Sequence, residues 1–410
     1  MAAMAAADVK GPVAVKERLE AFASEVLAQA MNRPVQARNG GLYLRALLEQ
    51  GARKSLEPLV ARLGGAADYQ SLQQFLADSP WDPELVVRAV AERVAPRIGL
   101  EAWVLDDTGF PKDGVRSPGV KRQYSGTLGK IGNCQIGVSL HAVGSRGTVP
   151  LGWALYLPEE WCADRQRRRR AKIPEEVVFQ TKPQLAAALA RTAAGWEVPR
   201  APILADAAYG ESTAFRTGLH EASLEYLVAV SPETGVFAPE TVFRVPEPSG
   251  KRGRPRSRLR PDRRPESVRA LAERLGGAAF RTLVCRRAPG GGQVRGRFAC
   301  LRVVAAHPVE RDHQPPRCEW LIIEWPAHEE APIDYWLSNL PEGTAPQRLA
   351  RLARLRWKIE LDYRQLKGEL GLDHYEGRSW LGWRHHTALV TAAHGFLTLE
   401  RLRPKARRPA

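Results

Sequence analysis

No run of apolar residues in this 410-residue chain is long enough to span a bilayer. Its start, Met-Ala-Ala-Met-Ala-Ala-Ala-Asp8, lacks the basic and apolar regions of a signal peptide. These absences argue against a membrane protein, and a cytosolic location is expected. Cysteine is sparse: Cys134, Cys162, Cys285, Cys300 and Cys318 are widely spaced, with no pair at zinc-site or redox-motif separation. They are expected to be reduced and structural. There is no internal repeat. Acidic residues are in short supply, 45 Asp and Glu against 61 Lys and Arg, which leaves a formal net charge of +16. Much of the excess is clustered, and that favours a polyanionic partner, although ribosome-binding proteins, nucleases and anionic-membrane binders share it.

What is present is globular. Hydrophobic residues make up 44% and charged residues 26%, enough apolar content to rule out wholesale disorder, and the length suggests two or three domains. Residues 1–98 show helical spacing, as in Leu19-Glu-Ala-Phe22, and predict an all-helical domain of four or five helices. That domain is read equally as a support or as a DNA-binding module. Residues 99–230 then alternate strands with helices, including Ala102-Trp-Val-Leu105 and Ile203-Leu-Ala205, which predicts a mixed-sheet α/β core. The helix signal disappears over 231–333, read as a β-rich insertion with a basic Pro-, Gly- and Arg-rich loop at 246–265. Residues 334–400 return to the core. There Thr344-Ala-Pro-Gln347 fits a capping box that opens a helix running to about Leu370, and 401–410 is a basic tail.

Three acidic residues stand at the ends or on the faces of these elements. Asp106 closes an apolar strand beside Asp107, Asp206 follows Ile203-Leu-Ala205, and Glu360 lies on the basic helix. At about 100° per residue, Arg356, Glu360 and Lys367 fall within roughly 40° of one face. A carboxylate between two cations suits metal and phosphate binding. An intrahelical Arg356–Glu360 pair and ordinary turns at the aspartates explain each feature singly. Asp-x-Thr fits Asp106, and alternation along the strand sends its neighbour Asp107 to the opposite face, so Asp106 is placed first and Asp107 kept as the alternative ligand.

Taken in order, Asp-Asp-Thr-Gly-Phe-Pro-Lys112, Gly119-Val-Lys-Arg-Gln-Tyr-Ser-Gly126, Asn133-Cys-Gln135, Ala205-Asp-Ala-Ala-Tyr-Gly210 and Arg356-Trp-Lys-Ile-Glu360 resemble the DDE transposases of bacterial insertion sequences, in particular the group named for insertion sequence 701. The resemblance runs from about Leu19 to His394. It implies a multidomain α/β protein with an RNase H-like catalytic core, in which Asp106, Asp206 and Glu360 hold two Mg²⁺ ions that Mn²⁺ can replace. It also implies in-line attack on phosphorus, with the ions about 3.5–4 Å apart. A related signature of Tyr, Arg, Glu and Lys is met at Arg356, Glu360 and Lys367, with Ala353 at the tyrosine position.

The implied partners are double-stranded DNA, as terminal inverted repeats and as target, and a second copy of the chain in the synaptic complex. Lys121, Arg122 and Tyr124 are candidate DNA contacts, the ring for stacking on an unpaired base. Arg165 to Arg170 and Lys251 to Arg264 are electrostatic footprints, and Arg252 and Arg254 lie in a short match to a minor-groove hook. Asp373, His374, Glu376, His385 and His386 lack recognisable metal-ligand spacing and are read as packing and DNA contact, with Glu376 the fallback for Glu360. A catalytically inactive, DNA-binding descendant that acts as a regulator, and a structure-specific nuclease, remain the alternatives.

Overall fold

The computed structural model describes residues 12–246, 258–287, 292–306 and 317–404. Five helices come first: α1 (Pro12–Leu27), α2 (Pro34–Leu48), α3 (Leu56–Arg62), α4 (Tyr69–Ala77) and α5 (Pro83–Val94). They lead into strands β1 (Leu100–Pro111), β2 (Lys121–Ser125), β3 (Lys130–Gly144) and β4 (Thr148–Leu155), then helices α6 (Glu159–Ala163), α7 (Arg165–Arg170) and α8 (Lys182–Ala194). Next are β5 (Ile203–Ala205), α9 (Ala207–Gly210), α10 (Thr213–Glu221) and β6 (Tyr226–Ala229). Short strands β7 (Gly235–Phe237), β8 (Phe243–Arg244), β9 (Arg260–Pro261) and β10 (Glu266–Ser267) precede α11 (Val268–Leu275). After it come β11 (Arg281–Arg287), β12 (Gln293–Ala305), β13 (Cys318–Glu324) and β14 (Asp334–Ser338), then α12 (Pro346–Ala353), α13 (Lys358–Gly368) and α14 (Trp380–Leu402). The chain divides into two compact units, one of residues 1–200 with 358–410 and one of residues 201–357. Among the described residues no helix is long and apolar enough to cross a membrane.

In the first unit α4 and α5 begin at aspartate caps. Asp68 accepts the Ser71 N–H at 2.8 Å to cap α4, and Asp82 accepts the Glu84 N–H at 2.9 Å to cap α5, with Pro83 in the first turn. These helices pack on α14, whose Trp383, Leu389, Val390, Ala392 and Ala393 are buried. A helix apolar on nearly every side must be surrounded. Burial of a side chain such as Leu389 or Val390 stabilises the unit by about 1.5–3 kcal/mol. The sheet of this unit centres on β3, antiparallel to β1 along one edge and to β2 and β4 along the other.

The second unit begins with β5 parallel to β6, joined through α9 and α10. From β6 the pairing continues antiparallel through β14, β13 and β12 to β7 and β10, with β11 also on β12. The core of this sheet is Val303, Leu321, Ile323 and Leu337 covered by α11. That helix departs from the expected helix-free insertion. Val268, Leu271, Ala272 and Leu275 recur at i, i+3, i+4 and i+7, and Ser267 caps them by accepting the Ala270 N–H at 3.1 Å. Its eight residues follow a long Arg- and Pro-rich stretch, which hid the period.

The long helix expected from Thr344 to Leu370 is two helices, α12 and α13, with residues 354–357 in a turn. Ala345 is the N-cap of α12 and gives no side-chain bond. No Pro or Gly lies in the turn; the cause is packing. In the second unit Arg354 reaches the buried Glu324, while in the first Lys358 donates to the Gly144 carbonyl at 2.7 Å. Arg356 is therefore outside the helix that carries Glu360, and the single face predicted for Arg356, Glu360 and Lys367 holds only for the last two.

Candidate active site

The apolar run Ala102, Trp103, Val104 and Leu105 is fully buried and makes β1 a central strand. Its ladder with β3 sets Asp106 opposite Ser139 and Asp107 opposite Val138. Directly opposed residues share a face of an antiparallel sheet, and successive residues alternate. Asp106 therefore shares its face with Ser139 and, through Val104, with His141. Asp107 points to the other face, where Lys182 at the start of α8 holds its carboxylate at 3.0 Å. The Asp106 side chain in turn accepts the Asp107 backbone N–H at 2.8 Å. Both aspartates are half-buried.

Helix α13 lies on the Asp106 face. Its buried side carries Ile359, Asp362, Tyr363 and Leu366. The Tyr363 hydroxyl is 2.8 Å from the Ser139 hydroxyl, across the ladder from Asp106. Burial, followed by the nearby Asp106 carboxylate, pushes that phenol well above its ordinary range. Asp362 accepts from His141 Nδ1 at 2.9 Å and from Thr148 Oγ1 at 2.5 Å. Burial opposes its charge, yet the His141 hydrogen bond and neighbouring groups outweigh that and hold the carboxyl below its usual value. One turn of α13 is thus fixed to β3 and β4 by two hydrogen-bonded side chains.

Glu360 stands three residues before Tyr363 and is exposed. It shares a stripe of α13 with Lys367, about 20° away around the helix. Lys367 donates to the Gly109 carbonyl at 2.7 Å and to Thr127 Oγ1 at 3.0 Å, and lies 5.5 Å from the centre of the Phe110 ring. Burial lowers this lysine to about 8. The cation expected to meet a phosphate is instead engaged with the end of β1.

Asp206 belongs to the second unit. It follows β5 and caps α9 by accepting the Ala208 N–H at 3.0 Å. The surrounding motif is built for that turn. Tyr209 is buried, and Gly210 is required because a Cβ there would lie 1.8 Å from the Ala229 carbonyl oxygen on β6. Arg216 is buried and donates to the Gly210 carbonyl. Arg356 is also in this unit, close enough to Asp334 to oppose the rise that burial imposes on that carboxyl.

Residues 26–289, more than half of the chain, match the family described as DDE superfamily endonuclease. The chain belongs to that family. A relative from Microchaete diplosiphon, named as a probable transposase for insertion sequence element IS701, is 33% identical over 181 residues, 43% of this chain and 44% of the relative. The match thus spans less than half the length of that protein. Asp106 and Asp206 lie within the residues matched to the DDE family, and Glu360 lies beyond them. The mixed α/β architecture with its N-terminal helices is the one expected of an RNase H-like DDE core.

In this member of the DDE family, no group of three or more His, Cys, Asp or Glu among the described residues is gathered closely enough to hold a metal ion. The donor chemistry nonetheless fits one kind of ion. Asp106, Asp206 and Glu360 offer oxygen alone, the set that suits a hard cation such as Mg²⁺. Of the histidines downstream, two are core residues: His386 Nδ1 meets the Tyr43 hydroxyl at 2.9 Å and its Nε2 the Gly371 carbonyl at 3.0 Å, and His385 stacks on Trp81; His374 is half-buried and accepts the Lys54 N–H at 3.0 Å. Glu376 pairs with Arg53 at the surface. Lys121 pairs with Glu160, whereas Arg122 and Tyr124 are exposed on β2. Arg252 and Arg254 lie outside the described residues. Sequence reasoning missed Lys182, Asp362 and Tyr363; only the spacing of Tyr363 from Glu360, i to i+3, was there to be noticed.

Proposed function

We propose that this DDE endonuclease is a DNA transposase that cleaves phosphodiesters at the ends of a mobile element and joins them to target DNA. Asp106, Asp206 and Glu360 would hold divalent cations, Mg²⁺ or in its place Mn²⁺. Such cations, when bound, neutralise phosphate charge and make a water more acidic. The chain's own residues orient and steer. The Tyr363–Ser139 contact keeps the Glu360 helix on the face of Asp106, and Lys182 holds Asp107 on the opposite side. Exposed Arg165, Arg169 and Arg170 on α7, together with Arg122, supply positive charge for DNA phosphates. Handling two element ends at once calls for a homodimer during the reaction.

The observation that carries this reading is the shared face of Asp106 and the Glu360 helix in a chain of the DDE endonuclease family. The test uses purified protein and labelled fragments of the DNA on either side of its gene, with Mg²⁺, Mn²⁺ or Ca²⁺. Asp206→Asn and Glu360→Gln are expected to bind these ends without nicking or joining them. Full cleavage by Glu360→Gln overturns the assignment. Binding by the wild-type chain without Mg²⁺-dependent nicking favours a regulator instead.

A further inference from the structure

The β2–β3 hairpin exposes an aromatic and an aliphatic side chain to solvent. Tyr124 and Ile131 are directly opposed across the hairpin, and they are 65% and 59% exposed. The hairpin beneath them is firmly held. Thr127 Oγ1 accepts the Gly109 N–H at 3.2 Å and the Lys367 ammonium at 3.0 Å. Gln123 donates to the Cys134 carbonyl at 3.1 Å, and Asn133 donates to the carbonyls of Lys112 at 2.6 Å and Gly114 at 2.9 Å. Gly109 makes room for this clamp, since a Cβ there would sit 2.0 Å from Ser125 Oγ.

Register tells which way the pair points. The ladders of β3 with β2 and with β1 run without a shift from Lys130 through Ser139. Ile131, Asn133, Gln135, Gly137 and Ser139 therefore fall on one face, which is the face of Asp106. Tyr124 and Arg122, opposite Ile131 and Asn133, belong to it as well. The clamp at Gly109 is three residues past Asp106, roughly 10 Å along the strand. Of the three cations between Lys121 and Ile131, Lys121 pairs with Glu160 and Arg122 shares the face of Tyr124.

We propose that this hairpin is a stacking platform for an unpaired DNA base. One ring backed by one aliphatic side chain is the footprint of a nucleobase, and a cation on the same face matches the adjoining phosphate. Stacking on an aromatic ring tolerates any base, because every base has a π face. The platform rests on the DNA-processing reading above and deepens it: the strand handled at the Asp106 face is single-stranded where it crosses β2.

Anisotropy of fluorescein-labelled oligothymidine, and of a fully paired duplex, is measured in Ca²⁺ with the full chain. Tyr124→Ala is expected to weaken oligothymidine binding about tenfold and duplex binding less, while Tyr124→Phe, which keeps the ring, binds like wild type. Ile131→Ser weakens it too. Neither Tyr124 variant changes the salt slope, whereas Arg122→Gln lowers it by about 0.7. Wild-type affinity in Tyr124→Ala, or an equal loss in Tyr124→Phe, overturns the platform. So does an equal loss on duplex. Mg²⁺-dependent cleavage with binding independent of Tyr124 sinks the platform alone; ring-dependent binding without any cleavage sinks the transposase reading alone.

Discussion

Replacing Tyr363 by Phe removes one oxygen from the contact that ties the Glu360 helix to the strand opposite Asp106. The hydroxyl is buried and lies 2.8 Å from Ser139 Oγ, on a serine with no exposed surface. A buried hydrogen bond contributes about 0.5–1.5 kcal/mol net, and a buried partner left unsatisfied costs about 1–3 kcal/mol. Tyr363→Phe is expected to destabilise the fold by about 1–2 kcal/mol, and Ser139→Ala by a similar amount, because each strands the other's hydroxyl. The double variant removes both and should cost little more than either alone, a coupling of about 1 kcal/mol. Urea unfolding followed by circular dichroism, with unchanged m values, measures all three differences. Cleavage should fall in Tyr363→Phe with DNA affinity unchanged, since the helix carrying Glu360 loses a brace and no contact with DNA is altered. Additive costs within about 0.5 kcal/mol refute the claim that these two hydroxyls act as a pair.

Asp106→Asn is expected to abolish cleavage. Asp107→Asn should retain it and cost about 1 kcal/mol or less in stability, because its pair with Lys182 is partly solvent-screened; parallel nicking and unfolding assays separate the two. Gly210→Ala forces a methyl group against the Ala229 carbonyl and should destabilise by about 1–3 kcal/mol, read as a lowered urea midpoint. His386 is buried, and desolvation holds it at about 4 in the fold against an ordinary 6.5. Between these values the unfolded chain binds the extra proton, so stability contributed by neutral His386 is present above pH 6.5 and is lost as pH falls towards 4. His386→Gln should flatten that part of the stability–pH profile.

Much of the architecture was legible in the chain. Ala102 to Leu105 is buried as a strand, the described residues before it form helices, and Asp206 follows the strand Ile203–Ala205. Local periodicity and capping chemistry suffice for such elements because their causes lie within a few residues. Helix α11 had the same kind of signal, and its eight residues were lost behind an Arg-rich flank. The helix break at 354–357 had no local signal at all. It arises because Arg354 and Lys358 answer to different packing partners.

The sequence by itself determined the chemistry on offer: a strongly basic chain, carboxylates at strand ends and on a helix, and the ordered motifs that mark a DDE endonuclease. Tertiary structure decided how those groups are used. It put Asp106 on the face of α13 and gave Asp107 to Lys182, drew Lys367 onto the end of β1, detached Arg356 from the Glu360 helix, and left Tyr124 standing clear of a clamped hairpin. The physical reason is one of range. Propensity and alternation act between neighbours in sequence, whereas the partner of a buried hydroxyl, carboxylate or ammonium is set by whichever distant element packs against it.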